Sequence, residues 1–381
     1  MAARKGGGEM TDKDSLVENL QSLVKIPSFR DSIAISRWIK NALEGIGYKV
    51  WSDEDGNMMA EIGAGPGFLL NAHMDTVDAG DGWKHDPFGG EIDKGRVYGC
   101  GSSDCKAGIA SMLEIARIMK ENPPKKRVVF AFTAFEESYP LERNGVYRIL
   151  PRLEDIEKGL ILEPTTHGKT IGIAVGCRGN GFYELDVLGK KGHSGYPQHA
   201  DNAIYKVPKL LLKIDKFPKR KMKVSITGEE IENSLVVTEI CAKEGGNVVP
   251  GKCTMTLNTR LLPDDKPEEV LKKLHYLCRD SFGKYYALQE KVVIGGYLFE
   301  DREFLEMCKE AITSINCEPK PYFKTARVDG GILHNFAGIG TFVLGPGDIA
   351  NAHQKDEYCA IEDLHRGTEA ILGVIKRWDR S

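Results

Sequence analysis

No stretch of this sequence approaches the roughly 20 consecutive apolar residues that a membrane-spanning helix needs. No run of lysine and arginine is long enough to read as a nucleic-acid or membrane patch. With a formal net charge of −3, the chain offers little to a polyanion, so neither nucleic acid nor membrane is expected as a partner. The substrate should be small. None of the nine cysteines (Cys100, Cys105, Cys177, Cys241, Cys253, Cys278, Cys308, Cys317, Cys359) sits in a CxxC pair, which argues against a zinc ribbon or a thioredoxin-type dithiol. Their odd number and scatter fit a reducing cytoplasm better than a disulfide-stapled secreted domain. The N-terminal Met-Ala-Ala-Arg-Lys-Gly-Gly-Gly lacks the apolar stretch of a secretory signal, and residues 1–10 read as a disordered tail. Gly99-Cys100-Gly101 is followed by no phosphate-loop lysine or second glycine pattern, which sets nucleotide binding aside.

What remains is a globular composition. Hydrophobic residues make up 41% and charged residues 28% of 381 positions, enough for a large core and about two domains. In the first half, apolar runs alternate with amphipathic segments, as in βαβ units. Residues 16–23, 33–43 and 106–120 carry helical spacing, whereas 68–70, 128–132 and 160–162 are continuous apolar runs of the kind buried on both faces of a sheet. From about Gly179 the segments shorten and alternate. Strands are expected around 182–187, 236–240 and 254–261, with helices at 203–214 and 267–277. The α/β texture returns with a helix at 303–315, a strand at 340–344 and a closing helix at 361–378. The reading is an α/β protein. A discontinuous domain over 10–176 and 291–381, with a mixed sheet flanked by helices, is interrupted by a smaller α+β domain over 177–290.

In open α/β sheets, ligands gather beyond the carboxyl ends of the strands, and the acidic and imidazole residues fall there. The first apolar run leads into His73-Met74-Asp75, the second into Glu136-Glu137, and the third into Glu163-Pro164. The strand at 340–344 leads into Gly345-Pro346-Gly347 and on to His353, while Asp104 lies in a Gly/Ser-rich turn just before the helix at 106. Taken singly, each is more readily a surface or structural residue. Together, carboxylates at buried strand ends repel one another unless positive charge lies between them. A pair of divalent cations meets that need. Two imidazoles with three carboxylates suit zinc best, with cobalt or manganese as substitutes.

Longer motifs surround these residues. They include Asn71-Ala72-His73-Met74-Asp75-Thr76-Val77, Asp81-Gly82-Trp83 with Asp86-Pro87-Phe88, and Tyr98-Gly99-Cys100-Gly101-Ser102-Ser103-Asp104-Cys105-Lys106-Ala107-Gly108. Phe135-Glu136-Glu137, Glu163-Pro164-Thr165, Gly192-His193-Ser194 with Asn202-Ala203-Ile204, and Arg260-Leu261-Leu262-Pro263 follow. Gly345-Pro346-Gly347 with Ala352-His353 and Glu357 completes the set. In these motifs and their order, from about residue 12 to 378, the chain resembles the M20 family of metallopeptidases and deacylases. That family includes acetylornithine deacetylase, succinyl-diaminopimelate desuccinylase, aminoacylase and several dipeptidases.

The resemblance implies a two-metal centre. Asp104 would bridge the ions, with His73 and Glu163 completing one site and Glu137 and His353 the other. Asp75 would hold the His73 imidazole from behind. Glu136 would be the general base, taking a proton from the attacking water and passing it to the leaving amine. On the inserted domain, which would act as a lid, His193 would stabilise the tetrahedral oxyanion from the partner subunit. Arg260 would grip a substrate carboxylate, and Asn247 would make a contact across the dimer. Two lids paired edge to edge would form a homodimer. Plainer roles stand beside these: a turn cap for His193, a surface salt bridge for Arg260 and a turn residue for Asn247.

Cys105 stands where methionine is commoner in the family and reads as a small buried filler rather than a soft extra ligand. The loop from Ser138 to Gly145 is less glycine-rich than usual, which leaves its shape open. His85, His167, His199, His275, His334 and His365 match no ligand position. The expected activity is hydrolysis of the amide bond of a small N-acyl amino acid. Ala352-His353-Gln354 with Asp356-Glu357-Tyr358 resembles acetylornithine deacetylase, whereas Tyr196-Pro197 with Ala200-Asp201-Asn202 resembles succinyl-diaminopimelate desuccinylase. A dipeptidase or carboxypeptidase using the same centre is the alternative. A catalytically inactive relative is a third reading, but the ligands and the base that such chains usually lose are all present.

Overall fold

Four apolar runs form the parallel centre of a mixed sheet, in the order Lys126–Thr133, Ala64–His73, Ile156–Ile161 and Gly340–Val343. His73 lies opposite Thr133, Asn71 opposite Ile161, and Val343 opposite Ile161 on the other side. Met58–Ile62 adds to Lys126–Thr133 in the antiparallel sense, and Thr170–Cys177 adds likewise to Gly340–Val343. The central strands read as continuous apolar runs because both of their faces are covered: Phe68, Leu69, Leu70, Val128, Phe130 and Leu160 are all fully buried. This computed structural model describes residues 11–137 and 140–381, so the expected N-terminal tail and positions 138–139 of the loop after the glutamate pair lie outside it.

Helices complete the layer. Lys13–Val24 begins at Asp12, whose carboxylate accepts the N–H groups of Asp14 and Ser15 and so satisfies donors that the first turn leaves open. Lys106–Glu121 is buried without interruption from Lys106 to Ala116. Its approach to the sheet requires Gly108, where a Cβ would lie 2.3 Å from the carbonyl oxygen of Leu162. A Cβ on Gly345 would come within 2.5 Å of the same oxygen. These two glycines let the Asp104 turn and the segment leading to His353 close on the end of Ile156–Ile161. Elsewhere in the core, Phe68 meets Trp378 of Ile361–Trp378 at 5.2 Å and Phe304 of Arg302–Ser314 at 5.7 Å between ring centroids.

By its contacts the chain divides into two units. One holds residues up to Gly176 with Phe299–Phe323 and Val328–Ser381; the other holds Cys177–Leu298 and Lys324–Arg327. The return to the first unit comes later than the expected 291 because Tyr286–Ile294 pairs along Gly179–Leu188 as a strand of the second sheet. That sheet is antiparallel, in the order Ser234–Cys241, Lys252–Leu261, Gly179–Leu188, Tyr286–Ile294. Tyr183, Leu185 and Val187 alternate inwards from Gly179–Leu188 and pack with Val207 and Leu210 of the helix Ala203–Asp215 and Leu274 and Cys278 of the helix Pro267–Phe282.

Among the elements that escape the sequence pattern, three share a cause. Thr170–Cys177 is interrupted by Gly172 and Gly176, Glu318–Lys324 carries Pro319 and Pro321, and the helix Gly330–Ala337 opens on two glycines. Glycine and proline weaken the local signal for strand and helix alike. Tertiary packing decides these segments instead.

Candidate metal centre

The ends of the central strands bring the acidic and imidazole residues together. Asp104 turns one carboxylate oxygen towards each of two imidazoles: Oδ1 lies 3.1 Å from His73 Nε2, and Oδ2 lies 3.7 Å from His353 Nε2. His353 Nε2 is also 2.6 Å from Glu137 Oε1. Donor atoms of Asp104, Glu137 and His353 fall within 4.8 Å of one another, as do those of His73, Glu136 and Glu137. Glu163 is buried, and its charge acts on Cys105, the residue after Asp104. The Cys105 thiol donates to the Leu162 carbonyl at 3.1 Å, and burial pushes it far above its ordinary range. Its sulfur also falls within 4.8 Å of donor atoms of His73 and Asp104, while its bond to the Leu162 carbonyl packs it against the strand end as a small buried filler would. The Asp104–Cys105 peptide bond is cis.

Two buried carboxylates hold the main chain of the segments that carry these groups. Asp75 is expected to grip the His73 imidazole, yet His73 Nδ1 meets the backbone oxygen of Asp75 at 2.9 Å, with the carboxylate at 3.7 Å. The Asp75 carboxylate instead accepts the backbone N–H groups of Glu136 at 3.1 Å and Glu137 at 3.0 Å. Glu357 does the same for the turn before Lys106, accepting N–H groups of Gly101, Ser103 and Asp104. The Glu136–Glu137 segment follows a bend at Phe135 that needs such support, and the ligand candidate His353 sits on a bend of its own. Phe135 has φ 63 and His353 has φ 59, a left-handed region that costs a non-glycine residue about 1–3 kcal/mol. Asn57 and Asn144 also brace this bend: Asn57 Oδ1 accepts the Ala134 N–H at 2.8 Å, and Asn144 Nδ2 donates to Asp329 at 2.9 Å. No sequence spacing points to Asn57 or Asp329, because each meets the bend only through the fold.

The profile of peptidase family M20/M25/M40 matches residues 69–377. The chain belongs to this family. Succinyl-diaminopimelate desuccinylase of Rhodospirillum centenum is 28% identical, with 94% of this chain and 96% of that protein covered. Acetylornithine deacetylase of Arabidopsis thaliana is 26% identical, with 85% and 82% covered. Among solved structures, an M20 family metallo-carboxypeptidase from Sulfolobus solfataricus superposes with a TM-score of 0.80 at 17% identity, covering 96% of this chain and 99% of that one. A dinuclear metal binding peptidase of the M20 family from Bacillus subtilis gives 0.70 at 16% identity, covering 96% and 98%. The structural likenesses carry the fold. As an M20 member the chain is a metal-dependent hydrolase of amide bonds in small substrates.

The M20 residues present fit divalent ions. Burial pushes the Glu137 carboxyl up, and its hydrogen bond raises His353 to about 9. Burial pulls His73 down, but the surrounding negative charge, that of Asp104 and Asp75 included, outweighs it and raises the imidazole well above its usual value. Carboxylates reluctant to ionise beside imidazoles eager for a proton describe a place short of positive charge. Metal ions supply that charge and displace the protons. In the second unit, His193 and Asn247 are brought side by side: Gly192–His193 pairs with Val248–Val249, and the Ser194 N–H donates to the Asn247 carbonyl at 2.9 Å. The exposed His193 ring accepts the Gly195 N–H at 3.0 Å. Arg260 stands apart from them, half-buried on Lys252–Leu261 opposite Ser234 and Asn180. Burial and then the charge of Arg260 hold Arg178 below its ordinary value, so two guanidinium groups share that end of the sheet. No helix of the described residues is long and apolar enough to cross a membrane.

Proposed function

We propose that the chain removes the acyl group from a small N-acylated amino acid at a centre of two divalent ions, with zinc as the metal. The observation that carries this reading is the Asp104 carboxylate, which offers one oxygen towards each imidazole as a ligand shared by two ions would. His73 and Glu163 would complete one ion's ligands, and Glu137 and His353 the other's. Zinc suits imidazole and carboxylate together, and cobalt or manganese would substitute. The dinuclear peptidase of the same fold supports the count of two. Ions bound there supply Lewis acidity to the scissile carbonyl and to water.

The chain's own residues do the rest. Glu136 accepts the proton of the attacking water and delivers it to the leaving amine. Its backbone rests on Asp75, whose carbonyl also fixes the His73 ring, so one residue orients a base and a ligand. His193 of a partner subunit donates to the developing oxyanion, Arg260 takes the substrate carboxylate in its fork, and Asn247 makes a contact across the dimer. The homodimer forms through the second unit, whose sheet ends at Ser234–Cys241 with Val236 and Ile240 exposed. Such an apolar edge calls for a cover. All nine cysteines are free, which suits the cytoplasm.

The names of the desuccinylase and the deacetylase favour an N-acyl amino acid over a dipeptide. Initial rates of the zinc-loaded protein on N-acetyl amino acids, N-succinyl amino acids and dipeptides test this. The expected result is a kcat/KM for one N-acyl class at least about 100-fold above any dipeptide, well within the roughly 10⁴–10⁵ that polar recognition can provide. The reverse order would assign a dipeptidase or carboxypeptidase, and no turnover in any class would assign an inactive relative.

A further inference from the structure

Glu357 lies on the segment that carries His353 and is only 2% exposed. A carboxylate buried to that extent is tolerated only when its oxygens are hydrogen-bonded. Here every bond goes to one short stretch of main chain. Oε1 accepts the N–H groups of Ser103 and Asp104, each at 2.9 Å, and Oε2 accepts that of Gly101 at 2.9 Å. The backbone oxygen of Glu357 takes the N–H of Gly99, also at 2.9 Å. Four donors of the turn before Lys106 thus rest on a single residue. The turn has little stiffness of its own, since it lies outside helix and strand and holds Gly99 and Gly101 at φ 147 and 79. The neighbouring Asp356 pins another loop in the same manner, accepting the N–H groups of Lys84 at 2.7 Å and His85 at 3.1 Å.

We infer that Glu357 is a positioning residue: its carboxylate sets the turn that aims Asp104 at both imidazoles, and so presents Asp104 and His353 together. The inference rests on the reading of those two residues as metal ligands. The contacts from Glu357 run to backbone N–H groups and so do not depend on the side chains of the turn, of which Ser103 adds a separate bond from Oγ to the Asp348 carbonyl at 3.1 Å. Glu357→Ala strands three buried donors. Glu357→Gln keeps one acceptor oxygen and sets an amide N–H against the remaining donor.

The test uses full-length wild type, Glu357→Gln and Glu357→Ala, each stripped of metal and titrated with Co(II). The visible absorption of Co(II) reports ligand geometry, and thermal melting of the ion-free proteins is recorded alongside. Wild type should bind two ions. Glu357→Ala should bind Co(II) roughly 10–100-fold more weakly at one site or both, the usual cost of losing support behind a metal ligand. Its absorption band should change, and Glu357→Gln should fall between the two. A lower melting temperature with wild-type Co(II) affinity and spectrum overturns the inference and leaves Glu357 a structural residue. Should Glu357→Ala fail to fold, Glu357→Gln carries the comparison, and wild-type Co(II) binding by it overturns the inference equally. Failure of the wild-type protein to bind Co(II) overturns the metal reading itself, which is a separate result.

Discussion

The two units offer their functional candidates under different physical conditions. In the first, His73, Glu136 and Glu163 are buried at strand ends and Asp104 in the turn before Lys106, and neighbouring main chain and carboxylates fix the segments of Asp104 and Glu136. In the second, His193 is exposed on a two-residue pairing and Asn247 just outside it, and Arg260 is half-buried on a strand. Buried charge tolerates few arrangements, because each group must find a partner. Exposed groups tolerate many, and their work is set by whatever comes against them. Residues of the first kind declare their chemistry within one chain, whereas those of the second declare it only with substrate or a second subunit present.

Metal removal gives the sharpest way to break that contrast. Dialysis against a chelator should reduce turnover to background, and zinc, cobalt or manganese should restore it, with metal content measured on the same samples. Full turnover in metal-free protein would show that the buried cluster is not the reaction centre. Next in size is Glu136→Gln, which should lower kcat by ~10²–10⁴ while metal content holds. Glu137→Ala and His353→Ala should instead lose metal from one site. Near-native turnover of Glu136→Gln would remove Glu136 from the role of base.

The second unit is tested by His193→Ala, expected to lower kcat by about 10²–10³ through loss of an oxyanion donor, with metal content unchanged. Mixing it with Glu136→Ala under conditions of subunit exchange should bring activity back, because one of the two sites in a mixed dimer carries neither lesion. No recovery despite demonstrated exchange would confine His193 to its own chain. The smallest effect is expected from Arg260→Lys, which keeps the charge but loses the planar fork. KM should rise about tenfold with little change in kcat, the signature of lost uniform binding. An equal fall in kcat and kcat/KM would place Arg260 in the transition state instead.

The contrast also explains how far the sequence could be read. Phe68-Leu69-Leu70 and Leu160-Ile161-Leu162 announce strands buried on both faces, and the residues that follow them land at the rim. The helix from Lys106 begins where its apolar spacing does. What spacing could not supply is the partner of each polar atom. His73 and Asp75 are two apart in the chain, which puts them near each other without deciding whether carbonyl or carboxylate meets the ring. The grip of Asp75 on Glu136 and Glu137 arises because Ala64–His73 and Lys126–Thr133 pair in parallel and end together. Glu357 reaches the Asp104 turn across 253 positions of chain. The second unit's far boundary was missed for a similar reason, since Tyr286–Ile294 owes its place to a distant strand.

Asp75 holds amides, and an amide N–H is present whatever side chain follows it. Exchange of the side chain at 136 therefore leaves its anchor untouched. With Glu136 read as the base, its substitution would remove reactivity while the backbone frame that Asp75 holds stays in place.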